Sequence, residues 1–464
     1  MSEVDVTIIG GGSAGYVAAI RAARLGLKVI LIEKDKLGGL CLNRGCIPTK
    51  ALVRTAELFT NIKRASEFGI DIKNPVLNFS KTMARKDRIV QRLSHGVGEL
   101  MKANHVRIIK GEGSITKPGI VQVINEKDYK EKINTKNILI ASGSSVTRIP
   151  IPGVELEGVI TSDEALTLNE LPKKILIIGG GIVGIEWAGI FNAFGVEVTI
   201  IEILPRILLS IDEEIIQRSL FTHKRKGIKI YTNSKIKEIS KINNHLEVLI
   251  SNKEGQINIL TDKILLSSGR VPDFGNINIQ KLGIETEEKA IKVDRKMRTN
   301  IPGIYAAGDV VGKLMLAHVA SAEGKTAIEN IAGIEKMMNY KIVPKCVFSI
   351  PEISSVGLTE EEARKEYNNI KVSRFPYMAS GKALVMGETE GLVKMIAEGN
   401  SSKILGIHIF GAHASDLIAE ATLGLSLNAT AEEIINTIHA HPTLAETIAE
   451  AAEGILGKSI HLIR

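Results

Sequence analysis

The sequence predicts an α/β protein in which one βαβ fold occurs twice and is followed by a C-terminal α+β section. Three observations predict it. A strand–glycine turn–helix–strand pattern opens the chain at residues 6–34 and returns at 176–203. Hydrophobic residues make up 44% and charged residues 24% of the 464 positions, which is ordinary for a globular protein with sizeable cores. From about Tyr340 the pattern turns β-rich, and after about Ile409 it becomes helical.

The first copy reads VTIIGGGSAGYVAAIRAARLGLKVILIEK and the second LIIGGGIVGIEWAGIFNAFGVEVTIIEI. The glycines are Gly10, Gly12 and Gly15 in one and Gly179, Gly181 and Gly184 in the other. In each, the first makes a tight turn off a parallel strand. The second lets the backbone approach a pyrophosphate, and the third lets helix and strand pack closely. The helix N-terminus then offers N–H groups and the positive end of its dipole to phosphate. Glu33 and Glu202 each stand eighteen positions after the last glycine, where an acid accepts hydrogen bonds from ribose hydroxyls. Gly26 and Gly195 close the two helices at matching offsets. Two complete Rossmann-like copies imply two bound dinucleotides. A carboxylate at Glu202 suits the ribose diol of NAD and repels the 2′-phosphate of NADP.

Between and after these copies the chain divides further. Residues 51–100 read as helix-rich, and strands are expected near 106–109 and 137–140. ILIASGS (138–144) ends a strand in a small-residue turn, and IPIPGV (149–154) reads as an extended linker. The expected domains are residues 1–147, 148–268, 269–338 and 339–464. Segment 175–195 is apolar, yet its clustered glycines, Glu186 and Asn192 mark a buried strand, turn and helix rather than a membrane span. Net charge is +7 with 4% aromatic residues, and no basic run carries interleaved rings, so stacking on nucleic-acid bases is not supported. A strand that begins almost at Met1 leaves no room for a targeting peptide, and a cytoplasmic protein is expected.

The chain has three cysteines, too few for a disulfide framework. Two of them, Cys41 and Cys46, lie five apart in GGLCLNRGCIPTK (38–50). Residues i and i+5 of a regular helix stand about 8.7 Å apart at Cα, beyond disulfide reach. Cys41 and Cys46 bridge only if the helix start is irregular, as Gly38, Gly39, Gly45 and Pro48 permit. Zinc would want a closer pair and two further ligands nearby, and none stands close in sequence, so no metal is expected. Two unrelated buried thiols remain the plain alternative. A redox-active pair facing the first dinucleotide's reactive ring is the sharper reading.

These residues resemble the pyridine-nucleotide disulfide oxidoreductases. With HAHPTLAET (439–447) they are most similar to the dihydrolipoamide dehydrogenase branch, and the resemblance runs over essentially the whole chain. It implies FAD in the first fold and NAD in the second. Asp309 in YAAGDV would contact the flavin's ribitol side, Ala317 would line its ring, and Gly113 would sit beside the adenine. Gly269, at the SSGR end of the second fold, would join the NAD site. Lys50 would stand near the flavin with Glu186 as its partner, where a positive charge favours the reduced ring. Cys41 and Cys46 would form the redox disulfide. His441 would act as the base, oriented by Glu446 and supplied by the other subunit of a homodimer. His439 is expected to be structural, and Cys346 a small buried apolar residue.

The implied reaction oxidises protein-bound dihydrolipoamide to lipoamide and reduces NAD⁺. The implied partners are a lipoyl domain and an E2-type core subunit of a 2-oxo acid dehydrogenase, acetoin dehydrogenase or glycine cleavage system. The basic surface is expected to meet an acidic lipoyl domain or core subunit. Leu40, Ser142, Asp273 and Ala445 depart from the family's common residues without removing a reacting group, and Ile182 and Gly184 agree with NAD over NADP. The alternatives are another FAD-dependent disulfide reductase of this family and a non-catalytic redox sensor on the same fold.

Overall fold

A computed structural model describes residues 4–124 and 130–462. The first glycine-turn strand, Val4–Ile9, lies at the centre of a parallel sheet. Its neighbours are Val29–Glu33, followed by Arg107–Lys110, on one side and Lys130–Ile140 on the other. Ile304–Ala306 completes that sheet by pairing with the far half of Lys130–Ile140. The near half of Lys130–Ile140 pairs antiparallel with Ile120–Ile124, which in turn pairs with Glu112–Lys117. One long strand thus serves both a parallel sheet and an antiparallel flap. Ile8, Leu31 and Leu139 stand side by side in register and are fully buried. Each such side chain contributes about 1.5–3 kcal/mol by leaving water.

The second fold repeats the arrangement. Its parallel sheet runs Lys229–Tyr231, Glu197–Ile201, Lys174–Ile178, Lys263–Leu266, Val159–Thr161. An antiparallel sheet over residues 235–261 occupies the place of the first fold's flap. Neither flap is among the strands expected from the sequence. Nor is 149–154 a free linker: Ile239 N–H donates to Pro152 O at 2.9 Å, and a side chain at Gly153 would stand 1.9 Å from Ile239 O.

The last section is a five-stranded antiparallel sheet, Lys345–Val347, Glu352–Gly357, Ile404–Gly411, Leu392–Glu398, Ile370–Pro376. Helix Ala414–Ser426 packs on its strands Glu352–Gly357 and Ile404–Gly411, and helix Glu446–Ile455 on Ile370–Pro376 and Leu392–Glu398. Lys394, 3% exposed, ties this sheet to the second fold. Its ammonium lies 2.8 Å from Asp212, 3.2 Å from Glu214 and 2.8 Å from Glu360. A buried cation is tolerated because three carboxylates surround it. Among the described residues, no helix is long and apolar enough to cross a membrane.

Candidate active site

The two glycine turns are superimposable in their constraints. Gly10 and Gly179 have φ of 107° and 108°, a region open to glycine. A Cβ on Gly15 would lie 1.8 Å from Gly10 O, and one on Gly184 would lie 2.1 Å from Gly179 O. Any side chain at either position would push the helix off its strand. Gly12 and Gly181 stand just before the helices Ser13–Arg24 and Ile182–Ala193, and Gly181 faces open space. Glu33 accepts from Gly11 N–H at 2.6 Å and Asp35 N–H at 2.7 Å. Glu202 accepts from Gly180 N–H at 2.7 Å and Leu204 N–H at 2.8 Å. Each acid therefore fixes its glycine turn from behind.

A cleft of about 360 Å³ opens over the first turn, lined by Gly10, Gly12, Glu33, Gly113, Ser144 and Arg270 among others. Gly113 lies within strand Glu112–Lys117, packed over Ile9 and Ile32. Asp309 begins a short turn after the completing strand and meets the cleft through Ser144, whose hydroxyl donates to Asp309 at 2.5 Å. Arg270 holds the same serine by its side-chain oxygen at 2.8 Å and its carbonyl at 2.6 Å. Ser142, one of the departures from the family pattern, donates to the carbonyl of another, Asp273, at 2.5 Å. Ala317 is the first residue of helix Ala317–Ile331. Gly269 lies in the turn after Lys263–Leu266 with φ of 97°.

The cysteine question resolves through a broken helix. Gly39–Arg44 and Cys46–Lys63 are separate helices, and Gly45 between them has φ −136° and ψ −108°. The break brings the Cα atoms of Cys41 and Cys46 to 4.7 Å, and the two are disulfide-bonded. Pro48 falls in the first turn of the second helix, where a missing N–H costs nothing. Gly39, at φ 57°, presses against the first turn: a Cβ there would lie 2.6 Å from Gly12 Cα.

One helical turn beyond Cys46, on the same face, stands Lys50. Its ammonium donates to both oxygens of Glu186 at 2.8 Å and sits 4.5 Å above the Phe348 ring. Glu186 is 4% exposed and also accepts from Phe348 N–H at 3.0 Å. This pair joins both dinucleotide folds to the last section.

His441 Nδ1 lies 2.8 Å from Glu446 Oε1, and Thr443 N–H donates to the other carboxylate oxygen at 2.8 Å. Burial pushes the Glu446 carboxyl up, but the Thr443 N–H and the His441 ring outweigh it and hold it below the usual range. An ionised carboxylate only accepts, so Nδ1 is the donor and Nε2 is left basic. The His441 side chain is 80% exposed, and no hydrogen bond or ion pair joins it to the cysteines among the described residues. His439 instead binds Glu420 at 2.8 Å and Thr437 O at 2.8 Å. Cys346 is half-buried rather than buried, packed against the third core, with its thiol pushed up to about 11 by burial.

Sequence reasoning missed Glu323. It is 1% exposed and accepts from Gly308 N–H and the Tyr340 hydroxyl, both at 2.7 Å. Burial raises its carboxyl to about 7. Unlike Glu186, it sits in a helix of mixed polarity, AHVASAEGKTAIENI, so no local signal singled it out.

A family model described as pyridine nucleotide-disulphide oxidoreductase matches residues 4–324, and the dimerisation domain of that family matches 343–452. The chain is 43% identical over 473 residues to a dihydrolipoyl dehydrogenase of Bacillus subtilis, covering 99% of each. It is 41% identical over 468 residues to one of Thermus scotoductus, covering 100% of each. Among solved structures, the HOCl-induced flavoprotein disulfide reductase RclA of Escherichia coli superposes with a TM-score of 0.86 at 28% identity, over 97% of this chain and 99% of that one. With its paired glycine folds, its disulfide between broken helices and these relatives, the chain belongs to the pyridine nucleotide-disulphide oxidoreductase family.

Proposed function

We propose that this protein is a dihydrolipoyl dehydrogenase, oxidising protein-bound dihydrolipoamide to lipoamide and reducing NAD⁺ to NADH. The observation that carries it is the Cys41–Cys46 disulfide, borne by a segment whose Gly39 presses against the first glycine turn and set one helical turn from the Lys50–Glu186 pair. FAD fits the first fold, on Gly10, Gly12, Gly15, Glu33, Gly113, Asp309 and Ala317, with Lys50 near its ring. NAD fits the second fold, on Gly179, Gly181, Gly184, Glu202 and Gly269. Their fit rests on glycine cradles that any Cβ would obstruct and on the acid beside each turn. When bound, FAD supplies the electron carrier between the reduced cysteines and NAD⁺.

The chain's own residues perform the thiol chemistry. His441 Nε2 takes a proton from one substrate thiol, and Glu446 stabilises the resulting imidazolium. The thiolate attacks Cys41 and displaces Cys46 as thiolate. The second substrate thiol then loses its proton to solvent, attacks the substrate sulfur of the mixed disulfide and closes the lipoamide ring, while Cys41 leaves and takes up the proton held on His441. Two substrate thiols are oxidised, one protein disulfide is reduced, and the bonds balance. Lys50, held by Glu186, sets a positive charge on the Cys46 face of the helix.

His441 belongs to a site completed by a second copy. Its exposure in the single chain and the dimerisation-domain match support a homodimer. The division at residues 147, 268 and 338, a cytoplasmic location, and service to a lipoyl domain and E2-type core form part of the same reading. The test is anaerobic: wild-type protein given dihydrolipoamide and NAD⁺ forms NADH in equal amount. Absence of NADH, with flavin bound and both cysteines intact, would refute the reading.

A further inference from the structure

Helix Phe79–Ala103 holds six Lys or Arg residues against two Asp or Glu. Lys81, Arg85, Arg88 and Arg92 follow one another at intervals of four, three and four, so they share one face. All four are exposed, whereas Thr82, Met83, Lys86 and Val97 turn inward. None of the four cations makes an ion pair among the described residues, and Arg85 donates only to Ala51 O, at 3.4 Å. Asp87 is already engaged by Lys86 at 2.7 Å. Glu99, the helix's other acid, lies about two turns beyond Arg92. The result is an uncompensated positive row about 16 Å long.

The opposite, inward face of the same helix borders the redox segment. The helix packs on both disulfide-bearing helices, and Ser94, two residues from Arg92, donates to Leu37 O at 3.4 Å. Leu37 is four residues from Cys41.

We propose that this face is the docking surface for an acidic protein domain that carries the dithiol. The proposal rests on the function proposed above and adds which surface receives the carrier. Exposed cations without local partners act on encounter and orientation more than on fixed affinity, and their effect fades with salt. After Phe79 the helix has no Phe, Tyr or Trp on which bases would stack, which favours a protein over a nucleic acid.

The test uses the full-length, flavin-loaded protein and the variant Lys81→Ala/Arg88→Ala/Arg92→Ala. kcat/KM is measured with free dihydrolipoamide and with a purified, reduced lipoyl domain of net negative charge, from low to high salt. The expected result is a loss of about tenfold with the domain at low salt, the lower end of what charge steering supplies. The variant's rate should be nearly flat with salt, and free dihydrolipoamide should be oxidised as by wild type. Equal loss with both substrates, or no loss with the domain, overturns the proposal. Wild-type protein inert toward free dihydrolipoamide overturns the function reading itself. Activity on free substrate with an unaffected domain rate overturns only the docking surface.

Discussion

Lys50 gives its ammonium to both oxygens of Glu186 at 2.8 Å, although the two residues belong to different glycine folds. Glu186 is 4% exposed, so its charge is compensated chiefly by this cation and by Phe348 N–H. Lys50→Met leaves a buried carboxylate unpaired. It should destabilise the protein by about 3–5 kcal/mol, seen as a lower unfolding midpoint, and Lys50→Met/Glu186→Leu should recover part of the loss. A single and a double variant that melt together would contradict this.

Cys46→Ser keeps the helix break at Gly45 but removes one sulfur of the pair. Dithiol-dependent NADH formation should fall by about 10³-fold or more, the scale of losing a nucleophilic centre. Thiol titration after dihydrolipoamide treatment should gain two thiols in wild type and none in the variant.

Glu446 is held ionised by Thr443 N–H and His441, so its effect on the ring persists through neutral pH. Its depressed carboxyl means that the contribution is present above the unfolded value and is lost only as pH falls through the lower folded one. His441→Gln should lower kcat for dihydrolipoamide by about 10²–10⁴-fold, because no base is left to take the thiol proton. Glu446→Gln should do less, because the ring keeps Nε2 but loses the carboxylate that orients it and balances its charge. An equal kcat in all three proteins would refute the assignment.

Glu323 runs the other way. Its carboxyl rises from 4.5 to about 7 through burial, with Tyr340, Gly308 N–H and Lys313 opposing and Asp309 adding. The folded state therefore keeps a proton that the unfolded chain releases. The stability this one group contributes is greatest at low pH and falls as pH rises from about 4.5 to about 7, by at most about 3 kcal/mol. Glu323→Gln should remove that slope, as read from unfolding midpoints at pH 5 and pH 8. An unchanged slope would assign it to other groups.

The glycine turns were legible because backbone geometry leaves no substitute for glycine at Gly10, Gly15, Gly179 and Gly184. The irregular helix start was legible as a condition, since Gly45 and Pro48 permit it, but the spacing of Cys41 and Cys46 alone argued against a bond. The antiparallel flaps were not, although Val121 and Val123, and Leu246, Val248 and Ile250, alternate inward, because such short half-exposed strands do not declare locally which sheet they join. Contacts such as Lys394 with Asp212, 182 positions apart, leave no local trace: each residue alone reads as surface charge. His441 was readable through its neighbours in HAHPTLAET, whereas the 80% exposure of its side chain was not.

The strand Ile304–Ala306 is delivered to the first sheet after the entire second fold has been made. On the ribosome, residues 4–140 emerge with an edge of Lys130–Ile140 still open, and the second fold reaches completion earlier than the first. Flavin capture is then a late event of the whole polypeptide, and a nascent or proteolysed fragment ending before residue 304 would carry the redox cysteines without a finished cradle to receive their electrons.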